Sequence, residues 1–168
     1  MHLFHFTSAA HLRGISQHGI TVGDVVTSFE KFEGRIAVWL TSSPDPAGHG
    51  LRGGRADKTE FRLTVDIPDD APDLHKWTEW APANLTPDTR LRLESVNGWA
   101  FSSWYLLFGN VRPHSIGGVV SMKTGMPVAN WGEYYSEELS VPGVSYAGRH
   151  AWHNRLLRDV RRASRAAG

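Results

Sequence analysis

Between Glu60 and Ile67 the chain alternates without a break, with Phe61, Leu63, Val65 and Ile67 on one side and Arg62, Thr64 and Asp66 on the other. A period of two sends successive side chains to opposite faces of a strand, so this stretch requires a sheet with one face buried and the other wetted. Shorter apolar runs supply partners for it. Leu3 to Thr7 reads as a buried first strand, Ile36 to Thr41 as a second, and Leu91 to Val96, Trp104 to Phe108 and the run through Val119-Val120 as further strands. Helical signals are fewer. Ser8 is placed as an N-cap for a helix over Ala9 to His18, with Leu12 and Ile15 on its inner side and Gly19 ending it. Leu74 to Trp80 reads as a short helix after the turn Pro68 to Pro72, and Asp45 to Asp57 as a mobile, glycine-rich loop. From about His150 the chain reads as a helix with Trp152, Leu156 and Val160 stacked at every fourth position. A strand, a helix and then mainly strands describe an α+β domain rather than an alternating parallel sheet.

The chain has 168 residues, 40% hydrophobic and 21% charged, which suits a single domain with its own core. It contains no cysteine, which excludes disulfides, thiolate nucleophiles and cysteine-held zinc. The opening Met1-His2-Leu3-Phe4-His5 has no basic region followed by an apolar run, and no apolar stretch is long enough to span a bilayer. A cytoplasmic location is the expectation. The net charge is only +1, yet Arg149 to Gly168 carries six arginines against the single acid Asp159.

Three features bear on chemistry. His5-Phe6-Thr7 sits on the first strand, ahead of a helix that ends in His18-Gly19-Ile20. The strand Val38-Trp39-Leu40-Thr41-Ser42 ends in hydroxyls beside a glycine-rich loop. Trp104 to Phe108 is followed by Val111, Pro113 and Ile116. Together they resemble the ADP-ribosyltransferase superfamily, most nearly its DNA-acting branch. His5, Thr7, Leu12, Ile15, Gly19 and Ile20 match the first family motif, and Trp39, Thr41 and Ser42 the second; the likeness covers roughly residues 1 to 120. It implies a mixed or antiparallel split sheet with flanking helices, to which residues 149–168 add a basic C-terminal helix. It also implies that His5 and Trp39 face one cleft. In that reading Thr7, Trp39, Thr41, Ser42 and Trp104 touch substrate. A role in phage–host conflict or as a toxin is compatible with the family.

The sequence departs from the family at one point. A catalytic Glu is expected at the start of the late strand, where this chain has Phe101-Ser102-Ser103-Trp104. Cleaving an N-glycosidic bond builds positive charge on the sugar, which a placed carboxylate stabilises. Another acid must then serve: Glu133, among aromatic neighbours, comes first, ahead of Glu94 and Asp45, with His5 holding a ribose hydroxyl. Two enzymatic readings follow. One is an N-glycosylase releasing a base from nucleic acid, needing no cofactor. The other is an ADP-ribosyltransferase using NAD on DNA, RNA or protein. A third reading is a nucleotide- or nucleic-acid-binding module without catalysis. His150 and His153, three apart, have no evident third metal ligand, so no metal is expected.

The arginine-rich tail points to the partner. Arg155, Arg158, Arg162 and Arg165 fall at helical spacing away from Trp152, a stripe suited to phosphate contacts, with DNA favoured over RNA.

Overall fold

The computed structural model describes residues 1–51, 56–95, 98–134 and 140–167, and only the backbone of 98 and 99. In chain order the elements are β1 (His2–Thr7), α1 (Ala9–His18), β2 (Asp24–Ser28), β3 (Glu33–Ile36), β4 (Val38–Thr41), β5 (Phe61–Asp66), β6 (Leu74–Lys76), α2 (Trp77–Asn84), α3 (Pro87–Ser95), β7 (Trp104–Leu107), β8 (Ile116–Ser121) and α4 (Arg149–Ala166). The alternating stretch is β5, and Phe61, Leu63 and Val65 are buried as the pattern demands. Six strands form one sheet in the order β6-β7-β4-β1-β5-β8, antiparallel at every pairing; β2 and β3 form a separate two-stranded ribbon.

Each face of the sheet has its own core. On one face Leu3, Val38, Leu40, Leu63, Val65 and Leu107 meet Leu12 and Ile15 of α1. Gly19 lets α1 end against this layer. Its φ is +78°, and an added Cβ would lie 1.9 Å from the Val111 carbonyl oxygen, so both conformation and space require glycine. Just beyond it, Ile20 and Val111 exchange backbone hydrogen bonds of 2.9 and 3.0 Å. The other face is built on tryptophan. Trp77 is fully buried, with ring centroids 5.2 Å from Trp39, 5.5 Å from Trp104 and 6.3 Å from Trp80. Leu106, Ala81 and Leu85 complete that layer.

Several expectations need correction. Leu91 to Val96 is not a strand: α3 occupies Pro87–Ser95, and Val96 lies outside the described residues, as do 52–55 of the expected loop. The alternation of Leu91 and Leu93 imitated a strand, yet Leu91 is 66% exposed. Local chemistry favours the helix instead. Pro87 stands at its first position, Thr86 Oγ1 accepts from the Thr89 amide, and Asp88 reaches Arg92 at 2.9 Å one turn on. The expected helix from Leu74 begins as β6 and turns helical only at Trp77. The expected strand from Ile36 to Thr41 is two strands parted at Ala37, β3 pairing with β2 and β4 with the main sheet. Helix α4 forms where expected, but its stacking is different. His153 is buried, Trp152 and Leu156 are half-buried, and Val160 is 43% exposed, as every residue from Arg158 to Ala167 is exposed.

Trp77→Ala should cost about 3–5 kcal/mol of stability, the range for deleting a large buried side chain. Urea denaturation followed by tryptophan fluorescence measures it, and a loss well below that range would show that the tryptophan layer is not a packed core.

Candidate functional site

The sheet is split at its centre. Strand β1 pairs with β5 along its whole length, from His2↔Asp66 to Thr7↔Phe61, but meets β4 at the single position Phe4↔Thr41. Beyond that point the ladder between β1 and β4 stops, and the His5 ring bridges the gap: Nδ1 lies 2.9 Å from the Trp39 carbonyl oxygen. A carbonyl can only accept, so Nδ1 carries the proton and Nε2 keeps a free lone pair. Burial holds the ring's pKa down to about 4, against the Trp39 bond, with help from the nearby Lys58 and His11 charges. His5 is therefore a neutral acceptor at physiological pH rather than a strong base.

A cavity of about 680 Å³ opens at the split. Its floor is β1 and β4, and its α1 wall is Gly14 and Ile15, backed by His11 four residues from Ile15. The segment Val141 to Val144 closes one side. It crosses α1 where two glycines meet, and a Cβ on Gly14 would lie 2.7 Å from the Gly143 Cα. That segment is pinned by the Val141 amide donating to the Ala10 carbonyl at 3.0 Å and by the Thr21 hydroxyl donating to the Val144 carbonyl. Trp152 and Leu156 of α4 form a further wall, His49 to Leu51 another, and the exposed Lys58 also lines it.

His5 and Trp39 both line this cavity, but they project from opposite faces of the sheet, which speaks against the shared placement drawn from the resemblance. Alternation groups His5 with Leu3 on the α1 face, while Trp39 packs among the tryptophans of the other. Thr7, Thr41 and Trp104 also line the cavity, but two of them are already engaged. The Thr41 hydroxyl lies 2.9 Å from the Ser103 hydroxyl and accepts from the Ser43 amide. Trp104 is 5% exposed and donates its indole N–H to His49 Nδ1 at 2.7 Å. The Trp39 indole likewise donates to the Asp24 carbonyl at 2.8 Å and its ring packs on Trp77, so it is core as much as platform. Ser42 is exposed and does not line the cavity.

The acids singled out in the sequence lie elsewhere. Glu94 accepts from the Trp77 indole at 3.0 Å and sits 3.8 Å from Arg90, behind the tryptophan layer. Glu133 is exposed on a short 3-10 turn, Trp131–Glu133, that packs against α1 outside the cavity. Asp45 is exposed and acts on His49. Among the described residues the carboxylate lining the cavity is Asp24. Its Oδ1 lies 3.1 Å from His153 Nδ1, close but poorly aligned, so neither buried atom has a well-formed hydrogen bond. Burial raises the Asp24 pKa and His153 opposes the rise. His150 is exposed and does not join His153 in a ligand set; no group of three metal-binding side chains occurs among the described residues.

Sequence reasoning also missed His11 and His49. His11 was within reach, since its i+3 and i+4 partners Gly14 and Ile15 share its helix face. Its Nδ1 is 2.9 Å from the Ser8 hydroxyl, so Ser8 holds this ring rather than capping α1 with its side chain. Burial and then Lys58 lower its pKa. His49 gave no signal, being placed by a loop. Its Nδ1 accepts from Trp104, which puts the neutral ring's proton on a buried Nε2 with no well-formed partner. Burial lowers this pKa too, opposed by the Asp45 carbonyl and carboxylate.

No protein-family model matches this chain, and neither the curated proteins nor the solved structures yield a significant match.

A histidine whose folded pKa lies below its unfolded value resists protonation only when folded, so its stabilising effect is lost as pH falls from about 6.5 toward 4. The melting temperature should drop through that window, and less so in His5→Asn, whose amide can still donate to Trp39 but does not titrate. An equal drop in both proteins would assign the effect to other groups. Glu94→Ala should destabilise by about 1–3 kcal/mol by stranding the Trp77 N–H, whereas Glu94→Gln keeps an acceptor and should lose less.

Proposed function

We propose that this protein binds a nucleotide unit in the split between β1 and β4 and attacks its N-glycosidic bond. Its substrate is nucleic acid, from which it releases a base. The observation that carries this reading is the cavity itself. A histidine that offers the cavity an acceptor nitrogen, aromatic walls and a carboxylate meet at a break in an antiparallel sheet. Such a site is concave and mostly apolar, with few polar groups.

The residues divide the work as follows. His5 Nε2 accepts a hydrogen bond from a sugar hydroxyl and so orients the ring. Trp39 and Phe6 border the base. Asp24, rather than Glu133 or Glu94, supplies the carboxylate that stabilises positive charge developing on the sugar. Its pKa, raised by burial, suits it to give a proton to the leaving base, and the carboxylate left behind faces the sugar cation until water adds to the sugar carbon. The arginines of α4, a helix whose other side lines the cavity, favour a polyanionic substrate.

NAD-dependent ADP-ribosyl transfer is the second reading, and the cavity volume favours it. About 680 Å³ lies in the upper part of the roughly 300–1,000 Å³ typical of small-molecule and cofactor sites, more room than one base and its sugar need. There His5 would hold the nicotinamide ribose, and the same carboxylate would serve.

Incubating the protein with single-stranded DNA, RNA or NAD, and separating the products by chromatography, distinguishes these readings. Free base from nucleic acid supports the first and free nicotinamide the second. Binding without either product leaves a non-catalytic module. Asp24→Asn should lower turnover at least about a hundredfold, the scale of losing an electrostatic partner of the transition state, while binding persists. Glu133→Gln should keep wild-type turnover. Full activity in Asp24→Asn, or inactivity in a folded Glu133→Gln, would reverse the assignment.

A further inference from the structure

We propose that a recess between the tip of the β2–β3 ribbon and the far end of α4 is a second nucleic-acid site, gripping the sugar-phosphate strand outside the central cavity. This rests on the reading of the substrate as nucleic acid. The recess encloses about 350 Å³ and is lined by Lys31, Phe32, Arg161, Ser164 and Arg165. Lys31 and Phe32 carry no signal in the sequence that would mark them as a site, and Arg161 is one arginine of a basic tail. The ribbon brings the first two to the helix across more than a hundred positions of chain.

The chemistry of the recess is that of phosphate and base. Three cations and a hydroxyl line one small space, and no carboxylate lies within ion-pair distance of Lys31, Arg161 or Arg165 among the described residues. Arg162, by contrast, has Asp159 at 4.0 Å. Glu30 and Glu33 flank the cationic tip, and both are exposed. Guanidinium and ammonium groups donate to phosphate oxygens through charge-assisted hydrogen bonds. Phe32 adds an aromatic surface that is 36% exposed, on a residue held at φ +52°, a conformation bulky side chains rarely adopt. An exposed ring beside phosphate donors suits a stacked base.

The helix geometry extends the recess into a track. At 100° per residue, Arg155, Arg158, Arg161, Arg162 and Arg165 fall within about 120° of arc, along about 15 Å of axis. Trp152 and Leu156 lie on the other side of the helix, in the cavity wall. About 20 Å of axis separates Trp152 from Arg165, so a ligand engaging both sites must be several nucleotides long. An anionic membrane fits less well. The apolar residues that would enter it are turned into the cavity, leaving Val160 the exposed large apolar side chain of α4 among the described residues.

Fluorescence anisotropy of the full chain with a labelled single-stranded oligonucleotide of mixed sequence tests the site. The triple variant Lys31→Glu, Arg161→Glu and Arg165→Glu should weaken binding by roughly tenfold or more. It should also flatten the logarithmic salt dependence, between about 50 and 200 mM, by about 0.7 for each phosphate that is no longer neutralised. Phe32→Ala should weaken the oligonucleotide but not an abasic strand of equal length, and a dinucleotide should bind the wild type and the triple variant alike. A thermal melt of each variant checks folding, which exposed charge reversals should leave intact. Unchanged oligonucleotide affinity in the folded triple variant would overturn the proposal. So would binding to phosphatidylserine vesicles with none to the oligonucleotide. Failure of the cavity reading shows separately, as no release of base or nicotinamide whatever the anisotropy.

Discussion

The hydrogen bond from His5 Nδ1 to the Trp39 carbonyl holds together a place where the sheet does not hold itself. Antiparallel strands ordinarily gain cohesion from successive backbone pairings, and β1 and β4 have one. The residues that would continue the ladder line a cavity instead. A side chain tying the strands across a gap permits what a backbone ladder forbids, namely an opening in the middle of a sheet whose faces stay packed. The same bond sets the tautomer of His5, and with it the character of the ring nitrogen left to meet a ligand.

The structure around the gap is organised to keep it open. On one side α1 is anchored by Gly19 against Val111, and Gly14 brings the Val141–Val144 segment close enough to become a wall. On the other, the tryptophan layer packs Trp39 firmly and passes hydrogen bonds outward, from the Trp39 indole to the Asp24 backbone and from Trp104 to His49. The Trp39 and Trp104 indoles and the His5 Nδ1–H are each held by a partner. Buried polar groups tied in this way are costly to move, which favours a preformed site.

Helix α4 joins the cavity to the charged surface. Its first turns bury His153 against Asp24 and present Trp152 and Leu156 to the cavity; its later turns carry exposed arginines, two of them beside the ribbon tip. An amphipathic helix normally spends its apolar side on the core alone. Here part of that side lines an opening, which explains why Trp152 and Leu156 are only half-buried despite their regular spacing.

What the sequence determined by itself was local. The alternation of β5, the limits of α1 from Ser8 to Gly19, the α+β class and the basic face of α4 depend on neighbours a few residues apart, and each was legible. Where local signals conflicted, as at Leu91 and Leu93, the start signals at Thr86 and Pro87 and the Asp88–Arg92 pair won over the alternation. His5 and Trp39 could be read as a pair only through a family resemblance. Their contact and the gap beside it arise from long-range pairing, whereas the β2–β3 ribbon is a local hairpin, from Asp24↔Ile36 to Ser28↔Glu33. Tertiary structure alone placed Asp24 in the cavity, set Glu94 to bonding Trp77 and left Glu133 outside. The reason is physical: a carboxylate's chemistry is set by what surrounds it, and here those surroundings come from segments distant in the chain.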